Sequence, residues 1–530
     1  MTNHPTSTNI NRRTFLTLCG TLTVLPTTLA ACQNGPGTTI PSPTPTRQPP
    51  KLTEADWSAL ANKVQLIRPG DAQYVTAHQL FDPRFDSILP AAIAYCASVA
   101  DVQNCLAFVR NFRLPVAIRA GGHSYAGYST TTGLVIDVTR MNSITTDVAA
   151  GTAVIGAGAR LIDVYDKLAQ DNLVLPAGSC GTVGVAGLTL GGGAGVIGRK
   201  FGLTCDSLLS AQVVTADGHL LTCDAQHNAD LFWALRAGGG GNFGVVTSFT
   251  FQVHPVSSLT LFTLTWPWSS AAGVLDSWQR WAPQALDEVW SNCVLLATGN
   301  KSSGPIIEVN GVYVGDEAAL NPLLAQLTSS ISTAPASRYV ASVGVLEAML
   351  YEAGCSSKGV AACHLPGQNP QGELTRDIES AKSDYFTNLL PQQAINNLMN
   401  AIVQRQDSSV LGQGGIGIDA YGGAINRVAA DATAFAHRNA LFSVQYNADW
   451  NVGDSDAVVA ANHTWLTNTW QSMRSYASGT AYQNYVDPDL ANWQQAYYSS
   501  NFARLQRVKA VYDPNNLFRF AQSIPPASGA

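Results

Sequence analysis

Charge is scarce in this chain. Of 530 residues only 12% are charged, 30 Lys and Arg against 36 Asp and Glu, for a net charge of −6. Binding to a phosphate backbone needs a basic face, so nucleic acid is excluded as the main partner. Long apolar runs are lacking too: nothing after residue 32 reads as a membrane span. No CxxC pair and no His/Cys cluster has zinc spacing, and no metal is expected. No internal repeat is visible. Apolar residues, at 46%, and glycine, at 46 residues, are plentiful. The first makes a globular chain long enough for two or three domains. The second is unevenly spread, and its clusters mark the candidate site.

The N-terminus reads as a processing segment. Residues 11–32 are NRRTFLTLCGTLTVLPTTLAAC. Arg12-Arg13 followed by Thr-Phe-Leu looks like a twin-arginine export signal. The apolar stretch behind it is short and broken by Pro26, which suits a leader better than a membrane span. Leu29-Ala30-Ala31-Cys32 resembles a bacterial lipoprotein box, in which Cys32 is acylated; an ordinary cleaved signal is the alternative. Residues 33–50, QNGPGTTIPSPTPTRQPP, are too rich in Pro, Thr, Ser and Gly to build a core and read as a tether. The expectation is a folded protein exported by the twin-arginine route and held to the membrane by lipid alone.

Outside the cytoplasm disulfides are allowed. Cys96/Cys105, Cys205/Cys223 and Cys355/Cys363 are near in sequence, though connectivity stays open. The pattern predicts a short helix over 53–67, then strand, helix, strand over 91–122, the helix starting near Ser98 or Asp101. LLSAQVVTADGHLLTCD reads as a hairpin turning at Asp217-Gly218. After Pro255 glycine thins out. LFTLTW, IIEVNGVYVG, GIGIDAYGGAINRV and LFSVQYNADW look like strands of one antiparallel sheet, covered on one face by helices around 316–330, 392–406 and 454–476. The fold class is α+β, divided as an export signal (1–32), a linker (33–52), a first domain (53–255), a second α+β domain (256–475) and an aromatic-rich C-terminal segment (476–522). Trp266, Trp268, Trp278, Trp281 and Trp290 fit either core packing or a carbohydrate groove.

Three glycine-rich loops, 119–127, 178–195 and 237–244, fall within about 125 residues. None has the strand–turn–helix frame and the acidic residue of the dinucleotide fingerprint. Together they suit one extended anionic cofactor approached by backbone N–H groups. His123 follows two glycines, and Cys180 sits in Gly178-Ser179-Cys180-Gly181. A nucleophilic nitrogen and a nucleophilic sulfur in cofactor-hugging loops suggest covalent tethering. A structural His, a disulfide or inert thiol and a Cys/His hydrolase dyad are the competing readings; no protease or acyltransferase signature surrounds either residue.

RAGGHSYAGYS, PAGSCGTVGVAGLTLGGGAGVIGRKFGLTCDSL, DLFWALRAGGGGNFGVVTSF and YQNYVDPDL…YDPNNLF occur in this order. Together they resemble the berberine bridge enzyme-like FAD-linked oxidases of the vanillyl-alcohol oxidase superfamily, which carry a PCMH-type FAD-binding domain. The likeness runs from about residue 70 to 522. It implies a two-part FAD domain over 53–255, a substrate domain over 256–475 and a C-terminal segment returning to the FAD domain. It also implies a bicovalent FAD, with His123 on the flavin 8α-methyl and Cys180 on C6. Arg119, Gly121, Gly122, Ser124 and Tyr125 match a pyrophosphate loop. Thr182, Val183, Gly184, Gly187, Leu188, Gly192 and Gly193 match the second loop, and Asn242, Gly244 and Val246 the third. Val185 matches a residue near the flavin's oxygen-reactive face, and Asn484 and Tyr485 are expected to line the flavin ring. Tyr482 is the expected base for the substrate hydroxyl, with Tyr421 or Asp419 as the neighbour that stabilises its phenolate. The implied activity is oxidation of an alcohol or hemiacetal, sugar or secondary metabolite, with O2 as acceptor and H2O2 as product, by a monomer. The rivals are a dehydrogenase feeding a quinone or a protein, and a non-enzymatic sugar-binding lipoprotein.

Overall fold

The computed structural model describes residues 50–300, 302–378 and 380–528; the export signal, Cys32 and the linker up to residue 49 lie outside them. Ser98 starts the helix Val99–Phe112 with a reciprocal cap, its hydroxyl on the Asp101 N–H and the Asp101 carboxylate on the Ser98 N–H. The helix buries Val102, Cys105, Leu106 and Val109, one face at helical spacing. It is the crossover between the parallel strands Ala92–Tyr95 and Val116–Arg119, with Leu134–Asp137 between them in a four-stranded sheet. The fourth strand, Gln65–Ile67, corrects the helix expected over 53–67. That helix is Glu54–Ala61, and the following residues pair with Ala92–Tyr95.

A second, five-stranded antiparallel sheet runs Ile144–Asp147, Thr152–Gly156, Val245–Gln252, Leu208–Val214, Leu220–Cys223. Its last pair is the hairpin around Asp217-Gly218. One hydrophobic core joins the two sheets and takes in Leu490, Leu505, Phe518 and Ile524 from the C-terminal segment.

The third sheet has seven antiparallel strands in the order Ser337–Gly344, Ser258–Trp266, Ile306–Tyr313, Val289–Ala297, Gly414–Ala420, Phe442–Ala448, Ser380–Phe386. The helices Ala271–Trp281, Glu317–Ser329, Gln392–Asp407 and Asp456–Met473 cover one face, and a second core lies between. Trp266 and Trp278 are buried there, Trp268 and Trp281 pack against it, and Trp290 packs on the first core. These tryptophans are packing residues. The other face of the sheet is polar. In register across it stand Thr263, Asn310, Asn292, Asp419 and Ser443, and one step along are Thr265, Glu308 and Gln445.

Cys355 and Cys363 form a disulfide. Cys96 and Cys105 stand 3.9 Å apart, sulfur to sulfur, without a bond, and Cys205 and Cys223 are both buried thiols. Among the described residues no helix is long and apolar enough to cross a membrane, and no group of three or more His, Cys, Asp or Glu could hold a metal ion.

Candidate functional site

A cavity of about 1950 Å³ lies between the glycine loops and the polar face of the third sheet. It exceeds the usual size of a small-molecule pocket, about 300–1,000 Å³, and has room for a long cofactor beside a substrate. Its wall contains Gly121, Gly122, His123, Ser124 and Tyr125 of the first loop. Cys180, Val183, Gly184, Gly187 and Leu188 come from the second, and Asn242, Gly244 and Val246 from the third.

The first two loops meet backbone to backbone. A Cβ on Gly121 would collide with the Gly184 nitrogen, and one on Gly184 with the Gly121 nitrogen. Only glycine at both positions lets the loops close. At Gly187, by contrast, a Cβ would meet nothing within 4 Å, and at Gly240 only the Gly187 Cα at 3.9 Å; both line the cavity. Here bare backbone faces the void, as contact with an extended ligand requires. Thr130 Oγ1, buried in the same wall, has no hydrogen-bond partner among the described residues. The third loop is tied down by the C-terminal segment. The Lys509 ammonium donates to the Asn242 carbonyl at 2.6 Å, and Asn242 Oδ1 accepts from the Ile524 N–H at 2.8 Å.

His123 and Cys180 converge. His123 Nε2 lies 2.9 Å from Thr182 Oγ1 and Cys180 Sγ lies 3.6 Å from the same oxygen. The nitrogen and the sulfur are therefore no farther apart than about 6.5 Å, the two distances laid end to end. Phe81 stacks on the imidazole with ring centres 3.9 Å apart. Burial, and then the nearby Arg160 guanidinium, hold the His123 pKa down at about 3. The ring is neutral at pH 7 and keeps a nitrogen lone pair. Cys180 is solvent-accessible in the cavity wall.

Tyr482 is buried, and its oxygen accepts from the Gly193 N–H at 2.9 Å, the Ala194 N–H at 3.1 Å and Asn484 Nδ2 at 3.0 Å. Burial raises its pKa to about 12 although all three donors favour the phenolate. Among the described residues these three donors, and neither Tyr421 nor Asp419, are hydrogen-bonded to the Tyr482 oxygen. The Tyr421 hydroxyl pairs with Tyr385 Oη at 3.2 Å in an aromatic cluster and is absent from the cavity wall. Asp419 stands on the polar sheet face, hydrogen-bonded to Asn292, its pKa raised by burial to about 6. Tyr485 lines the cavity, stacked on Tyr125 with centres 5.9 Å apart and edge-on to Tyr482 at 5.0 Å. Gln445 Nε2 donates to Tyr125 Oη at 3.1 Å.

Two expected contacts are corrected. Arg119 is the register partner of Asp137 on the neighbouring strand. Its Nε donates to that carboxylate at 2.5 Å and Nη2 to the Ala77 carbonyl at 2.7 Å, so the guanidinium braces the sheet and is absent from the cavity wall. Val185 begins the helix Val185–Leu190 and turns into the first core; Val183, two residues earlier, is the valine in the wall. Thr182, Gly192 and Gly193 also lie behind the wall, Thr182 against His123 and Gly193 against Tyr482.

Residues not anticipated are Glu308, Asn310, Gln445 and Glu352. Alternation could have found the first three: buried Ile307 and Val309 flank Glu308, Val309 separating it from Asn310, and buried Val444 and Tyr446 flank Gln445. Glu352 and Glu308 both line the cavity, and burial raises both pKa values, that of Glu352 to about 7 with Glu308 and Asp419 adding to the rise. A carboxyl raised by folding binds its proton more tightly in the folded state. Its stabilisation is complete below the unfolded value near 4.5 and is lost as pH rises through 7. Glu352→Gln is thus expected to melt above the parent at pH 8, with the gap closing toward pH 4.5. Melting curves across that range check this; a gap that ignores pH would contradict it.

Comparison with known proteins agrees with this geometry. Residues 90–224 match the family described as "FAD binding domain", and residues 481–525 the family described as "Berberine and berberine like". YgaK of Bacillus subtilis, an uncharacterized FAD-linked oxidoreductase, is 37% identical over 444 residues, 82% of this chain and 91% of its own. The structure of BBE-like 1 from Physcomitrella patens superimposes with a TM-score of 0.80 at 33% identity, over 89% of this chain and 99% of that one. A chitooligosaccharide oxidase does so with a TM-score of 0.79 at 29% identity, over 89% of this chain and 100% of that one. With the FAD-binding region, the C-terminal segment and the overall fold all shared, the chain belongs to the berberine bridge enzyme-like FAD-linked oxidoreductases, which have a PCMH-type FAD-binding domain.

Proposed function

We propose that this FAD-linked oxidoreductase is an oxidase of sugars or related alcohols with its flavin bound through both His123 and Cys180. The observation that carries the reading is the convergence of the two side chains on Thr182 Oγ1 at the wall of one cavity. The proton-on-Nε2 tautomer, directed at Thr182, leaves the Nδ1 lone pair of the neutral imidazole to form its bond. Glycine backbone facing the void at 187 and 240, and the unpartnered Thr130 hydroxyl, suit an extended cofactor. When bound, FAD supplies the hydride acceptor and passes the electrons on to O2, giving H2O2. Bonding at two points keeps the cofactor on a protein that its Arg12-Arg13 leader and Cys32 would carry to the outer face of the membrane.

The substrate lies against the polar sheet face. Thr263, Asn310, Glu308 and Gln445 offer donors and acceptors at strand spacing, a pattern matched to a ring bearing several hydroxyls. The chitooligosaccharide oxidase among the structural neighbours supports a sugar with a free hemiacetal. Tyr482 takes the hydroxyl proton as the C–H hydride departs, and the Gly193 and Ala194 N–H groups and Asn484 hold the phenolate.

The test is oxygen consumption over oligosaccharides, aldoses and secondary alcohols, followed by flavin bleaching without air. Bleaching by a sugar, rapid return of colour in air and one H2O2 per turnover are expected. Bleaching with a slow return in air and fast dye reduction would instead assign the electrons to a quinone or protein acceptor. A preparation without bound flavin would overturn the reading.

A further inference from the structure

We propose that Arg376, on the segment 364–378 of the substrate domain, is a positioning residue for the His123 attachment point; this rests on the covalent reading above. Arg376 reaches across to the FAD domain. Its Nη1 and Nη2 grip both oxygens of Asp86 at 2.9 and 2.5 Å, and its Nε donates to the Leu80 carbonyl at 2.7 Å. Such a fork-to-carboxylate pair fixes direction as well as distance. Both targets belong to residues 80–86, which bear on the His123 loop at three points. The Phe81 N–H donates to the Gly122 carbonyl at 3.1 Å, the Phe81 ring stacks on the imidazole, and Arg84 Nη2 donates to the Tyr125 carbonyl at 3.0 Å. Arg376 thus acts on His123 through one short loop. The Cys180 loop is backed differently, with Gly181 against Ile162 and Cys363. Cys363 and Ala353 bring the substrate domain against that loop as well, but Arg376 itself bears only on the His123 side.

The coupling predicts an asymmetry that general destabilisation would not produce. Whole-chain protein, produced under riboflavin starvation and mixed with FAD in air, where O2 takes up the two electrons and two protons released as a flavin C–H is replaced by a bond to the protein, is followed for flavin that stays with acid-precipitated protein. In a Cys180→Ala background, where only the His bond can form, Arg376→Ala is expected to slow attachment about tenfold or more, the scale of a misplaced reacting group. Arg376→Lys should fall between, keeping charge without the fork. In a His123→Ala background, where only the Cys bond can form, the same changes should leave the rate unaltered. Asp86→Asn repeats the comparison should Arg376→Ala fail to fold. Equal slowing in both backgrounds, or none in either, would overturn the proposal. If Cys180→Ala takes up no covalent flavin even with Arg376 present, the covalent reading itself falls, and this proposal with it.

Discussion

His123→Ala and Cys180→Ala are each expected to hold FAD through the remaining bond, and the double variant to lose all its flavin on denaturation. His123 Nε2 and Cys180 Sγ lie within about 6.5 Å of each other beside one hydroxyl, and Nδ1 belongs to the same small ring, too close for the two side chains to serve separate ligands of flavin size. The variants also leave the cradle intact, because Gly121 and Gly184 close the loops through backbone alone. Each single variant should stay yellow after acid precipitation, with a shifted absorbance band. Each should also turn over about tenfold more slowly, equivalent to about 1.4 kcal/mol on the barrier, as an altered ring substituent changes the flavin potential. Complete release of flavin from either single variant would remove the two-bond account.

The second large effect is expected at Tyr482. Tyr482→Phe should retain its flavin and lose about 10²- to 10⁴-fold in turnover, the range for a positioned acid or base. With the phenol pKa near 12, the parent's kcat/KM should climb with pH across the neutral and alkaline range, because only the phenolate accepts the proton. The Phe variant should lose that slope. It also leaves the Gly193 and Ala194 N–H groups and Asn484 Nδ2 without their shared acceptor, at a stability cost of about 1–3 kcal/mol. A lower melting temperature with unchanged turnover would make Tyr482 a brace for the second loop and move the base elsewhere on the sheet face.

Much of this site was legible in the sequence because it is made of local signals. Glycine-dense loops, and a His and a Cys set among glycines, report where backbone approaches a ligand, and all three loops do line one cavity. The four strands named after Pro255 all join the seven-stranded sheet. Arg119 misled because its partner, Asp137, is brought beside it by strand pairing 18 residues away. Val185 misled because a helix begins there, and two residues of offset turn a side chain from the cavity to the core. The strand Ser380–Phe386 was not anticipated. All seven residues are buried, yet Lys382 and Asp384 read as surface until Asp487 and Arg474 are seen to pair with them. Glu352 carried no local signal: it ends the helix Val345–Glu352, and only tertiary folding brings it near Glu308.

The central claim is that one flavin bridges residues 123 and 180, and peptide mass spectrometry of the denatured, trypsin-digested protein tests it most directly. Residues 120–140 and 168–199 fall on separate tryptic peptides. The account predicts a single species in which both peptides are joined through one FAD. Two unmodified peptides with free FAD in the supernatant would contradict it.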